Sequence, residues 1–274
     1  MNVGAWWAEV LRQHGGRDIG LRAVRVGADY LYADTLADYA FAWAWRLRLR
    51  DAAARRWLAR HVAAGMTAVD VGAHLGAYTL ALAHAVGASG QVVALEPDAH
   101  NFDLLTRAAP RWRFPHVDTR SLAAADYSGW VTLHRSATDP GDHRIVPVEP
   151  ERKRVTVRAL RLDEVLADAA RVDVIKLAVQ GAEVLVLRGA RQTLTRCREV
   201  RLLCAVAPAL LERTGASAAA LFEPLAELGL LPHLLLANGD AEAAHATVVW
   251  ARAAACGRLM VLFRRPQSGE ADKN

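Results

Sequence analysis

The sequence predicts an α/β fold: a doubly wound, mostly parallel sheet preceded by an N-terminal helical and hairpin appendage. Three observations carry this. Short apolar runs alternate with helix-period segments from residue 67 onward. Residues 67–97 (TAVDVGAHLGAYTLALAHAVGASGQVVALEP) read as strand, glycine turn, helix, strand and acid, which is half of a nucleotide-binding unit. The first 64 residues lack the alternation, so the expected division is 1–64 as an N-terminal layer, 65–266 as the main domain and 267–274 as a polar, frayed tail.

Taken in order, residues 5–14 form an amphipathic helix in which Trp6 and Trp7 serve packing. LRAVRV and YLYAD are two short strands around Gly27-Ala28-Asp29. Ala37–Arg50 and Asp51–Val62 are helices whose aromatics, Tyr39, Phe41, Trp43, Trp45 and Trp57, offer a lid over a ligand, a homodimer face or a layer docked on the core; the docked layer is favoured. After residue 97 come a helix to Arg107, a third strand over Phe114–Arg120, and two extended segments, Trp130–His134 and Arg154–Leu160, expected to pair outside the parallel core. Between those two lies the loop DPGDHR, residues 139–144. A helix begins at Leu162, a buried strand spans Val172–Val179, a helix 182–195, a strand Val200–Val206 and a helix Leu221–Leu228. Leu231–Leu236 and Arg258–Phe263 close the sheet as antiparallel strands with no helix between them; residues 245–252 read equally as strand or helix.

Composition narrows the function classes. A chain of 274 residues that is 53% hydrophobic can bury a large core. No apolar run approaches the ~20 residues of a membrane span, and residues 1–20 carry charges and Gly15-Gly16 where a signal peptide needs an apolar stretch, so a cytoplasmic protein without membrane contact is expected. The net charge of +5 comes almost wholly from arginine, lysine being confined to Lys153, Lys176 and Lys273. These charges are dispersed, which speaks against a nucleic-acid footprint. Cys197, Cys204 and Cys256 have neither CxxC spacing nor the neighbours of a zinc site, and are expected to be reduced.

The chemistry of residues 67–97 suits an adenosyl ligand. Glycine at 72 and 76 lets backbone approach a ligand, the helix opening after Gly76 presents free amides, and Glu96 at the next strand tip can accept both ribose hydroxyls. The acid follows the first glycine at close to the ~20 residues expected. A dinucleotide fingerprint would need glycine where His74 stands. D-x-G-x-x-x-G followed by E-P resembles class I S-adenosylmethionine-dependent methyltransferases, and VDVGAHLGAYT with ALEPDAHNFDLL resembles the FkbM family among them. Ala123-Ala124-Ala125-Asp126 and Gly129 fit that family's A-x-x-D-x-x-G turn. The resemblance covers roughly residues 60–265 and implies a seven-stranded Rossmann-like sheet, S-adenosyl-L-methionine as cofactor, and a site built from Asp70, Gly72, Ala73, His74, Gly76, Thr79, Glu96, Pro97, Ser121 and Leu122. His74 would shape the methionine end and Ser121-Leu122 the adenine end.

The sequence departs from the family at its second signature, K-I-D-V-E-G-A-E. Residues 176–183 read KLAVQGAE: Lys176, Gly181, Ala182 and Glu183 match, while Ala178 and Gln180 replace two acids, and a third acid is replaced around Cys204. Alanine can neither act as a base nor hold a cation, and glutamine can orient a hydroxyl but is a poor base. No metal is expected at this tip. Glu183 then falls in a first helical turn, where a structural role is favoured. The catalytic candidates are Gln180 and His143, the latter between Asp142 and Arg144.

Methyl transfer to a hydroxyl of a small molecule, a sugar or a secondary metabolite is the leading function, its substrate class inherited from the resemblance. Two alternatives stand beside it: another chemistry on the same cofactor, and a non-catalytic subunit binding a partner through its N-terminal helices.

Overall fold

The computed structural model describes residues 3–109, 114–146 and 152–266. The tail after residue 266 lies outside them. Helix α1 (Val3–His14) leads into the antiparallel hairpin β1 (Asp18–Val26) and β2 (Asp29–Thr35), followed by α2 (Leu36–Arg46) and α3 (Ala52–His61). The main sheet begins with β3 (Thr67–Val71), α4 (Ala77–Val86), β4 (Gln91–Leu95), α5 (Ala99–Ala108) and β5 (Val117–Arg120). A separate small sheet follows: β6 (Ala123–Ala125), β7 (Gly129–Arg135) and β8 (Lys153–Arg161), with a 3-10 turn at Pro140–Asp142 between the last two. The chain returns through α6 (Leu162–Val165) to β9 (Val174–Leu177), α7 (Glu183–Arg188), α8 (Arg191–Arg196), β10 (Arg201–Val206), α9 (Pro208–Arg213) and α10 (Ala218–Glu227). It ends with β11 (Leu231–Leu235), β12 (Ala241–Ala243), α11 (Ala246–Cys256) and β13 (Leu259–Arg264).

The sheet order is β12-β11-β13-β10-β9-β3-β4-β5. From β5 to β10 neighbours are parallel; β13 inserts antiparallel between β10 and β11. Strand order reverses between β3 and β9, so the ligand crevice of such a sheet falls at their carboxyl ends. The expected seven strands are present, and three-residue β12 adds an eighth at the edge. Two further expectations need correction, and one helix had no counterpart among them. Helix α11 does lie between the closing strands, and it occupies the stretch that period alone left open. The helix expected over 182–195 is two, α7 and α8. A Cβ at Gly189 would lie 1.9 Å from the Ala125 carbonyl oxygen, and Asp163 accepts the amides of Gln192 (3.1 Å) and Thr193 (2.7 Å), which starts a new helix there. The α9 turn, PALLER, escaped the reading because a single helical turn carries no period.

One apolar layer packs α6–α8, α10 and α11 on one face of the sheet. The other holds α4, α5 and the N-terminal elements, with Trp45 and Trp57 completely buried beside Leu75, Leu80 and Leu82. These indoles are spent on the core; of this corner, Trp43, Leu47 and Leu49 remain exposed. Three aspartates of β2 and α2 each meet a histidine further along the chain: Asp29 with His84 (2.8 Å), Asp34 with His100 (2.9 Å) and Asp38 with His74 (2.7 Å).

Candidate active site

Strand β3 carries Asp70 one residue before its end, closed to solvent. Thr79 donates its hydroxyl to Asp70 Oδ2 at 2.7 Å, and Lys176 Nζ, from the neighbouring strand β9, lies 2.9 Å from Oδ1. Lys176 also donates to the Gly72 carbonyl at 2.7 Å and sits 5.1 Å from the Tyr78 ring centre. The motif acid therefore braces the glycine turn from beneath. Gly72 has φ +80, and a Cβ there would meet the Ala178 carbonyl oxygen at 2.1 Å, so the next strand's backbone itself demands glycine.

The turn delivers His74 in a left-handed conformation, φ +53. Its amide donates to Glu96 Oε2 at 2.8 Å, and Glu96 Oε1 accepts the Asp98 amide at 3.0 Å. Burial pushes the Glu96 carboxyl above its usual range, against the lowering influence of His74 and the two amides. The His74 ring reaches the other way, placing Nε2 at 2.7 Å from Asp38 Oδ1. Asp38 occupies the third position of α2, where Thr35 accepts its amide (3.2 Å) and donates to its Oδ2 (2.9 Å). Burial would raise Asp38 and lower His74; their attraction overrides it, so the carboxyl is held below its usual range and the imidazole above.

Two cavities open over the strand tips. The smaller, about 60 Å³, runs past Glu96, Pro97, Leu122 and His143. The larger, about 550 Å³, is walled by α2, the β3–α4 turn and the tips of β9 and β10, with Phe41, Tyr78, Lys176 and Arg258 among its lining. Gly72, His74, Gly141, Ala178 and Gln180 line both. The divider is the loop carrying Pro140–Asp142. Gln180, itself left-handed at φ +57, donates Nε2 to the Gly141 carbonyl at 2.7 Å, and Asn101 donates to the Pro140 carbonyl at 2.9 Å.

Residues 70–200 match the family described as methyltransferase FkbM domain. Those residues carry an FkbM methyltransferase domain. Its activity is accordingly S-adenosyl-L-methionine-dependent methyl transfer. No curated protein matches the chain. Among solved structures it is similar to precorrin-6y C5,15-methyltransferase from Geobacter metallireducens (9% identity, 79% of this chain and 89% of that one, TM-score 0.45). It is also similar to Aeropyrum pernix fibrillarin with natively bound S-adenosyl-L-methionine (14%, 91% and 86%, 0.44) and to an rRNA methylase from Streptococcus thermophilus (10%, 78% and 95%, 0.42). None of these likenesses bears on the acceptor.

Within the FkbM domain, the expected cofactor residues separate into three groups. Gly72, Ala73, His74, Glu96, Pro97 and Leu122 line a cavity. Asp70, Gly76 and Thr79 stand behind that surface, Asp70 and Thr79 paired with each other and Gly76 at the left-handed cap of α4. Ser121 is exposed and lines neither cavity. Of the catalytic candidates, Gln180 lies at the junction. His143 is buried in the wall of the smaller cavity, its Nδ1 accepting the Ser136 amide at 3.0 Å and its Nε2 3.8 Å from Asp98. Burial drives its pKa down to about 4, outweighing the attraction of Asp98. Glu183 is structural: its two oxygens accept the amides of Val179 (2.9 Å) and Gly181 (3.0 Å) and hold the altered tip in shape. Cys204 is a buried thiol pushed far up by burial.

Two contributors escaped the sequence reading. Asp38 reads as a helix cap, since Thr35-x-x-Asp38 before an apolar run is a capping-box pattern, and nothing local shows that its second oxygen faces His74. Asn101 reads as one position of α5, although its amide fastens a loop some forty residues later in the chain.

Proposed function

We propose that this domain methylates a hydroxyl oxygen of a small molecule, a sugar or secondary-metabolite alcohol, without a metal at the strand tip. The observation that carries the reading is the joining of two unlike cavities at His74, Gly141, Ala178 and Gln180. The smaller has an apolar wall, Leu122, Ala123 and Ala124, and a buried carboxylate, Glu96: the partners an adenine face and a ribose diol call for. The Gly72–His74 turn would hold the amino-acid end. Bound there, S-adenosylmethionine supplies an electrophilic methyl group. The larger cavity, within the size range of small-molecule sites, is the acceptor's place. Its strand tips present Ala178 and Gln180, so Gln180 orients and does not deprotonate.

The smaller cavity falls well short of the roughly 300 Å³ at which ligand pockets begin. The Pro140–Asp142 loop must lift to admit the adenosyl group, and Gln180 and Asn101 are its fastenings. Among the described residues no helix is long and apolar enough to cross a membrane. A diffusible acceptor met in the cytoplasm, with nucleic acid excluded, completes the proposal.

The test is calorimetry with S-adenosylhomocysteine, followed by a labelled-methyl assay against sugars, alcohols and phenols, with ribosomal RNA as a comparison. Binding with transfer to a small hydroxyl compound supports the reading. Transfer to RNA alone would overturn its substrate class, and no binding at millimolar ligand would overturn all of it.

A further inference from the structure

We propose that His74, backed by Asp38, is the proton acceptor of the transfer, with Nδ1 as the atom that takes the hydroxyl proton. This rests on the hydroxyl reading above.

The ring stands where the two cavities meet, at the junction an acceptor oxygen must reach. Its orientation is set from both ends. The backbone amide is anchored on Glu96, and Nε2 is anchored on Asp38, which is only 1% exposed and already held by Thr35. Phe41 adds an edge contact, ring centres 5.1 Å apart. A carboxylate at Nε2 keeps the neutral ring's proton on that nitrogen and leaves the Nδ1 lone pair available; it also stabilises the imidazolium once formed. Nδ1 and Cε1 face the cavity divider: a Cβ built on Gly141 would lie 3.9 and 3.5 Å from them. The left-handed backbone at a residue other than glycine is a strained choice, of the kind retained where a side chain must be aimed.

Among the described residues, the other carboxylates around the larger cavity, and its lysine, are engaged elsewhere. Asp51 is held by Arg258 at 3.1 Å and by the Tyr78 hydroxyl at 3.0 Å. Glu183 is spent on backbone amides and Lys176 on Asp70 and Gly72. Asp139 is exposed and caps the Gly141 amide. Around the imidazole itself stand Asp38, Glu96 and Asp139, whose charges favour its protonation, and His143, which the charge of His74 helps to hold neutral.

The acceptor oxygen bonds to the methyl carbon as its proton passes to His74 Nδ1. The electron pair of the broken carbon–sulfur bond stays on sulfur, giving the neutral thioether, and the new imidazolium charge lies against Asp38.

Nitrogen NMR of histidine-labelled protein bound to S-adenosylhomocysteine tests the assignment without turnover. The expected result is a His74 ring that, when neutral, carries its proton on Nε2, and whose pKa falls in Asp38→Asn. A proton on Nδ1 in the neutral ring, or a ring that stays charged throughout the pH range of activity, overturns the proposal. The second arm uses His74→Asn, since asparagine tolerates left-handed backbone. Measured at saturating cofactor, transfer to weakly acidic alcohols should fall about 10²-fold or more. Transfer to 4-nitrophenol, which ionises without help near neutral pH, should suffer least. An equal loss on both acceptors, or none, overturns the base role while leaving the methyltransferase reading intact. Failure of the wild-type protein to bind S-adenosylhomocysteine would instead remove the reading beneath it. Ligand binding without transfer to any hydroxyl compound removes the base along with the hydroxyl acceptor.

Discussion

Lys176 brings its ammonium to 2.9 Å from Asp70, and both side chains are almost closed to solvent, at 4% and 0% exposure. A charge pair so enclosed is poor evidence of net stability, but removing one member leaves the other uncompensated. Asp70→Ala should therefore cost about 3–5 kcal/mol, read as a lower denaturant midpoint at unchanged slope. Replacing both by apolar residues, Asp70→Leu with Lys176→Met, should cost less than either single change. A double variant worse than the singles would show that the pair does more than neutralise itself.

Glu96 should govern cofactor affinity. Its carboxyl is buried and held above the usual range, and it faces the cavity assigned to the ribose. Hydrogen bonds to a charged group are worth about 1.5–3 kcal/mol, so Glu96→Gln should weaken S-adenosylhomocysteine roughly 10- to 150-fold by calorimetry. Because the ionised form is the acceptor, affinity should decline as pH falls through the raised carboxyl value. Unchanged affinity would place the ribose elsewhere.

The Pro140–Asp142 loop should behave as a latched cover. Gln180→Ala and Asn101→Ala each remove one fastening. Stopped-flow mixing with S-adenosylhomocysteine should show faster association and faster dissociation in both, most in the double variant. Rates that match wild type would mean that the loop does not limit entry.

Stability should respond to pH with two opposite signs. His143 is held neutral, its pKa lowered from 6.5 to about 4. The unfolded chain binds the proton first, so stability falls as pH drops from 6.5 toward 4, and His143→Gln should flatten that limb. His74 is raised by Asp38, so its contribution is complete below the unfolded value of 6.5 and is lost as pH climbs through the folded one. Asp38 is lowered, so its share persists above the unfolded carboxylate value and is lost only in strong acid. Hydrogen exchange, corrected for intrinsic rate, should show the β1–β2 hairpin and α2 loosening on the alkaline side, and Asp38→Asn should abolish that trend.

Much of the fold was legible because its signals are local. The β3–α4–β4 unit shows apolar period and glycine spacing within 31 residues, and the β1–β2 hairpin shows its turn at Gly27-Ala28-Asp29. Glu96 and Leu122 could be placed at strand tips from the same pattern. The break at Gly189 was hidden, since the Ala125 carbonyl that crowds it is 64 residues away. His143 looked like a free loop histidine because its acid and arginine neighbours are adjacent in sequence. In the fold Asp142 is instead taken by Arg144 and Arg152, and the His143 ring turns inward toward Asp98.

The sequence by itself determined a doubly wound sheet with an adenosyl-type turn at its switch point, because strand period, turn chemistry and helix capping are set by residues within a few positions of one another. Only the tertiary structure decided what that turn is attached to. Asp70 is closed off by a lysine 106 positions later, and His74 is aimed by an acid 36 positions earlier. The loop over the smaller cavity is tied down by α5 and by the β9 tip. Buried charge pairs and cavities belong to surfaces brought together from distant segments, and no local pattern records which surfaces those will be.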